Sequence, residues 1–157
     1  MRRSSRSRNR PATSKAKRPL KAFLCHSKRD KKAIRRLYTK LVRDNVKVWF
    51  DEKELLPGES WALLIQSNVQ DSDVVLICLS HAAINNKGYI HKEIQLALDI
   101  AQLQPEGSIF IVPVRLEECE IPQRLQKYQW SNLFQRGGYA RLLSSLKERA
   151  SELSRDL

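Results

Sequence analysis

The segment DVVLICLS, Asp73 to Ser80, sets six apolar residues in a row between a carboxylate and a hydroxyl. A strand with one wet face alternates apolar with polar residues. An unbroken run of this length belongs to a strand covered on both faces, as in a parallel sheet lying under helices. The flanking sequence repeats the pattern. AFLC (Ala22–Cys25) and VKVWF (Val46–Phe50) are strand-like runs before it, and IFIVPV (Ile109–Val114) is one after it. YQWSNL holds a short fifth strand around Gln129 and Trp130. Pro113 predicts that the fourth strand ends early or lies towards an edge, because proline brings no N–H to a ladder.

Between these runs the apolar spacing becomes helical. Ile34, Leu37, Tyr38 and Leu41 share one face, as do Trp61, Leu64, Ile65, Asn68 and Val69. A third helix is GYIHKEIQLALDIAQ, Gly88 to Gln102, with Ile90, Ile94, Ala97 and Ala101 towards the core. The last runs from about Tyr139 to Leu153, with Leu142, Leu143, Leu146 and Ala150 inward. Ser27 or Asp30 caps the first helix and Asn45 ends it, while Ser60 caps the second after a Pro57-Gly58 turn. RLEECEIPQRLQ reads as a loop with one helical turn.

Strands alternating with helices give an α/β fold, a flavodoxin-like doubly wound parallel five-stranded sheet with helices on both faces. Ligands of such sheets sit outside the carboxyl ends of the strands. That rim gathers His26-Ser27-Lys28, the 51–60 loop, Ser80-His81 and the pair Tyr89 and Glu93. Tyr89 and Glu93 are four residues apart and stack one turn over the other on a strip beside the core stripe. An aromatic one turn before a carboxylate at a helix mouth suits a small-ligand site. A solvated glutamate beside a half-buried tyrosine fits the same spacing.

The net charge of +12 is unevenly placed. Nine of the 29 basic side chains fall in residues 1–21, which hold no acid, so the other 20 meet all 17 acids and net only +3. Residues 1–21 have almost no apolar surface to bury and read as a disordered basic tail that touches nucleic acid only non-specifically. The domain then spans 22–154. Cys25, Cys78 and Cys119 make an odd count without paired spacing, which fits a reducing, cytoplasmic setting. No apolar run approaches the length needed to span a bilayer, so no membrane partner is expected.

Several common occupants of this sheet are excluded. The chain has no G-x-x-x-x-G-K-[ST], G-x-G-x-x-G or G-x-S-x-G. A phospho-receiver needs acids after the first strand and an aspartate ending the third, where this chain has His26-Ser27 and Leu79-Ser80. His26, His81 and His91 lack metal-ligand spacing, so no metal site is expected.

FLCHSKRD, WFDEKELLPGESW, DVVLICLS and GYIHKEIQLAL, in that order and spacing, resemble the Toll/interleukin receptor (TIR) domain in its bacterial form. The likeness runs from about Ala22 to Leu153. The resemblance implies a flavodoxin-like fold and one of two functions: assembly of signalling complexes, or cleavage of NAD+ at the nicotinamide–ribose bond. The cleaving members use a glutamate in a [WY]-x-x-x-E context on the third helix, which falls on Glu93 here. Tyr89 stands where the enzymes often carry tryptophan. The segment that handles phosphates and ribose falls on Ser27 and Lys28, with His26 beside them at the rim. Trp49, Phe50 and Asp51 match the block flanking the pocket, and Asp51–Glu59 match the loop that lids it. Leu56 replaces a carboxylate found late in that loop in some relatives. NAD+ would be substrate, with no cofactor. The products would be nicotinamide and ADP-ribose or a cyclised form, made on self-association through TIR–TIR contacts in bacterial defence signalling. The alternative is a non-catalytic scaffold that binds itself or other TIR proteins.

Overall fold

The computed structural model describes residues 18–50, 56–85 and 89–155, with Trp61 and Tyr89 described by their backbone alone. Among these residues the strands are β1 (Leu20–Cys25), β2 (Val46–Trp49), β3 (Val74–Leu79), β4 (Ile111–Arg115) and β5 (Ser131–Asn132). They form one sheet in the order β2-β1-β3-β4-β5, every neighbouring pair parallel. The helices are α1 (Lys31–Arg43), α2 (Trp61–Asp71), α3 (His81–Asn85), α4 (Tyr89–Ala101) and α5 (Gly138–Arg155), with 3-10 turns at Lys28–Asp30 and Gln123–Leu125. None is long and apolar enough to cross a membrane.

The strand order explains the layering. The step from β1 to β2 runs one way across the sheet, and the steps to β3 and β4 run the other way. Right-handed crossovers then place α1 on one face and α2 and α4 on the opposite one. The sheet therefore separates two cores. Phe23, Cys25, Val75, Ile77 and Leu79 pack with Ile65 and Val69 of α2 and Ile90, Ile94 and Ala97 of α4. Alternate residues of the same strands, Ala22, Leu24, Val74, Leu76 and Cys78, pack with Ile34, Leu37 and Leu41 of α1 and Leu142 and Leu146 of α5. All six β3 residues are buried, as the DVVLICLS run requires.

The punctuation residues act largely as their chemistry predicts. Asn45 leaves α1 in the left-handed region at φ 67° and donates its N–H to Val42 O, closing the helix end. Ser60 Oγ accepts from Leu63 N at 3.4 Å and caps α2. Pro57 and Gly58 occupy the centre of a turn closed by Glu59 N to Leu56 O at 3.0 Å, and Gly58 supplies the φ of 91° that a type II turn needs.

Three expectations need correction. The first strand begins before residue 22: Leu20 is buried in β1 and pairs with Val46, and Asp73 fixes this start by accepting from Lys21 N and from Arg18. Pro113 neither ends β4 nor lies on an edge strand; it pairs with Ile77 inside the sheet. The bonds Val75 N to Phe110 O and Leu116 N to Leu79 O show that even-numbered β4 amides face β3. Residue 113 therefore faces β5, which is only two residues long and pairs with Val114 and Arg115, so no ladder bond is lost. The fifth strand also falls at Ser131–Asn132, just after Gln129 and Trp130.

Candidate functional site at the carboxyl rim

The rim is built by the segments that leave the carboxyl ends of the strands. After β1, Ser27 Oγ accepts from Arg29 N at 3.2 Å and caps the 3-10 turn Lys28–Asp30. Ser27 and His26 are both buried, while Lys28 and Arg29 are exposed. His26 Nδ1 donates to Leu24 O at 3.2 Å, and its ring meets Phe50 edge-on at 5.8 Å between centroids. After β2, Phe50 also packs on Tyr38 of α1 at 5.1 Å, and Trp49 stacks on Phe23 at 4.9 Å. The end of β2 thus carries ring contacts on both faces of the sheet, Phe50 with His26 and Tyr38 on the α1 side and Trp49 with Phe23 on the α4 side.

After β3, Ser80 occupies the hinge of the rim. Its Oγ donates to Asp30 Oδ2 and accepts from Ala83 N at 3.0 Å, capping α3. Asp30 has the chemistry of a cap for α1, yet its side chain makes no cap bond. It ties the 28–30 turn to the β3–α3 junction instead. His81 N donates to Glu117 Oε2 at 2.8 Å, which brings the segment after β4 into the same rim. The sequence points to Ser80 as a rim residue but carries no signal for its bond to Asp30, fifty positions away.

Glu93 lies on α4, one turn beyond Ile90. Cys25 Sγ stands 4.0 Å from Ile90 O, so the first turn of α4 rests against the end of β1. Glu93 is 4% exposed, which removes the solvated-glutamate reading. Its position carried a signal for this: Glu93 is three residues after Ile90 and four before Ala97, inside the apolar stripe rather than beside it. Keeping a carboxylate from water costs several kcal/mol, on the order of what a good hydrogen-bonded partner returns. Ionisable groups held that way concentrate at functional sites.

Of the other residues expected at the site, Leu56 is 70% exposed at the start of the Pro57-Gly58 turn, with Glu59 Oε1 accepting from its N–H at 2.7 Å. Asp51 and the Tyr89 side chain lie outside the described residues. Two larger hollows, of about 510 and 580 Å³, open beside Gln102, Lys127 and Tyr128, and neither is lined by Glu93.

The family model of the TIR domain matches residues 22–146. Among solved structures, the fold is similar to the crystal structure of the TIR domain of the Toll-related receptor TRR-2 from Hydra magnipapillata. That pair shares 19% identity and a TM-score of 0.67 over 80% of this chain and 97% of the other. It is also similar to the TIR domains of the activated Roq1 resistosome that directly recognises the pathogen effector XopQ. Here the values are 18% identity and a TM-score of 0.52 over 87% and 84% of the two chains. At these identities the structural likeness speaks for the fold alone, and no curated protein matches the chain. The family match, covering the sheet, the rim and four of the five helices in full, decides the classification: the chain belongs to the TIR domain family.

Proposed function

We propose that the domain is an NAD+ glycohydrolase that cleaves the nicotinamide–ribose bond, with Glu93 as the catalytic carboxylate. The observation that carries this reading is the burial of Glu93 in the stripe of α4 whose first turn rests against the end of β1. Ordinary glycosidases need two carboxyl groups, because an alkoxide leaves poorly without a proton. Nicotinamide bonded to ribose is a pyridinium and departs neutral, so no general acid is required. The costly feature is the positive charge that develops at the sugar C1. An anionic carboxylate held away from water stabilises such a charge far better than one in solvent. Lys28 and Arg29, exposed on the turn capped by Ser27, supply cations for the diphosphate. Trp49 and Phe50 supply apolar surface near the end of β2.

Assembly of the domain with its own copies would cover Leu56, which is 70% exposed beside the Pro57-Gly58 turn. A scaffold without catalysis shares that feature, so activity must decide. Free nicotinamide, measured on incubation with NAD+ at rising protein concentration, should appear more than linearly with protein. Glu93→Gln should lower kcat by about 100-fold or more while the variant keeps its fold. Full turnover by Glu93→Gln would leave only the scaffold.

A further inference from the structure

The near-neutral sum over residues 22–157 hides a polarised surface. Lys28–Arg43 holds eight basic residues and one acid, Asp30, whose carboxylate is taken by Ser80. The apolar residues of α1, Ile34, Leu37 and Leu41, are buried in the core, which leaves its outer face cationic. Lys32, Arg36 and Lys40 are exposed and succeed one another at steps of four residues, about 6 Å apart along the axis, with Arg43 continuing the row. The nearest acid beyond the helix, Asp44, accepts from Tyr139 Oη at 2.7 Å and pairs with Arg43 at 3.5 Å.

A cleft of about 220 Å³ interrupts this row. It is lined by Arg36 and Lys40 on one side and by Leu133, Phe134 and Tyr139 on the other, with no carboxylate in the lining. Phe134 is 42% exposed, its ring backed by the Arg115 guanidinium at 5.4 Å. Lys40 Nζ stands 5.4 Å from the Tyr139 ring centre. An exposed aromatic ring between cations, in a row of cations at even spacing, matches what a single nucleic-acid strand offers: bases with open π faces and a phosphate at each step.

We infer that the face of α1 and the Phe134 cleft form a binding surface for single-stranded nucleic acid, separate from the α4 side that carries Glu93. Phosphates lie along Lys32, Arg36, Lys40 and Arg43, and one unpaired base stacks on Phe134. A membrane is disfavoured because the helix offers no apolar anchor to lipid; its single exposed large apolar side chain is Val42. Recognition is insensitive to sequence, since phosphates are common to every strand and every base has a π face to stack.

The test is fluorescence-anisotropy titration of the full chain with a labelled single-stranded oligonucleotide across a salt series. Each phosphate contact contributes a slope of about −0.7 in log K against log salt. Replacing Arg36 and Lys40 together by alanine should therefore flatten the slope by about 1.4 units. Phe134→Ala should weaken binding by about five-fold or more and leave the slope unchanged, as loss of one stacked base does. Three results would overturn the assignment. Binding indifferent to Arg36→Ala/Lys40→Ala would place it wholly on residues 1–17. A duplex bound more tightly than the strand, with Phe134→Ala silent, would exclude base stacking. Anionic phospholipid vesicles bound as tightly, with the same variants weakened, would assign the face to lipid.

Discussion

Ser80→Ala tests whether one hydroxyl holds the rim together. The Ser80 side chain is buried and serves two bonds at once, donating to the Asp30 carboxylate and capping Ala83 N at 3.0 Å. Losing an N-cap serine costs about 1 kcal/mol. Losing a hydrogen bond to a charged group costs about 1.5–3 kcal/mol, the upper part of which is the penalty on the carboxylate left behind. The expected loss is therefore near 3 kcal/mol, or roughly 6–12 °C in Tm for a chain of this size. Asp30→Asn retains an oxygen that accepts from Ser80 and should cost about 1 kcal/mol. Urea unfolding of wild type, both single variants and the double variant closes a thermodynamic cycle. A coupling of about 1–2 kcal/mol is expected, because each residue is the other's partner. A Ser80→Ala loss below about 1 kcal/mol would refute the reasoning, as would a coupling near zero.

Two further outcomes concern the opposite end of the sheet and the start of the last helix. Burial pushes the Asp73 carboxyl up, but the Arg18 guanidinium at 2.8 and 3.0 Å, the Lys21 N–H and the Arg149 charge outweigh it and hold it below the usual carboxylate range. A depressed folded pKa means that the stabilisation is complete above the unfolded value near 4 and fades as pH falls through the lower folded one. Asp73→Asn should cost about 2 kcal/mol at pH 7, a figure discounted because Arg18 is half exposed, and distinctly less at pH 3, where the stabilisation is fading. Urea midpoints at the two pH values check this, and an unchanged gap at pH 3 contradicts it. At Gly138 a Cβ would stand 1.9 Å from Asn132 O and 2.7 Å from its carbonyl carbon, both main-chain atoms of β5. Gly138→Ala should therefore cost about 3 kcal/mol, the upper end for overpacking, and a loss under about 1 kcal/mol by chemical denaturation would show that the helix slides freely.

The sheet was legible because its evidence is local. Six consecutive apolar residues at 74–79 allow few alternatives to a doubly covered strand, and the helical stripes at 34–41 and 142–146 emerge from spacing alone. What escaped is non-local or depends on orientation. Pro113 reads as an edge signal only if both sides of its strand are laddered, and the length of β5 decides that. The start of β1 at Leu20 depends on an aspartate some fifty residues later accepting from Arg18 and Lys21. Counting charge over whole segments masked the polarity of α1, because acids elsewhere in the chain cancel its sum without being near it. Candidate site residues were located by chain position, but burial separated their roles. Lys28 is open to solvent, whereas Ser27 is enclosed and shapes the turn that presents it.

Two buried ionisable side chains lie within the apolar stripes of α4 and α5, on opposite faces of the sheet, and their locations argue different roles. Arg149 of α5 is 3% exposed and faces the amino ends of the strands. Its Nε donates to Asp73 O at 2.8 Å, and its terminal nitrogens reach Gln104 Oε1 at 2.9 Å and Glu152 Oε1 at 3.2 Å. Those partners come from three different segments, so the guanidinium acts as a clasp at the closed end of the molecule. Glu93 of α4 is buried at the other end, by the carboxyl ends where the fold brings His26, Phe50, Ser80 and Glu117 into one rim. Parallel strands all deliver their loops to that end, and it is there that a wound sheet opens at its switch between β1 and β3. A charge clasped at the amino ends stiffens the domain. A carboxyl group buried at the carboxyl ends, on a helix resting against the end of β1, lies at the end of the sheet where wound folds take their ligands, and the proposed cleavage rests on that placement.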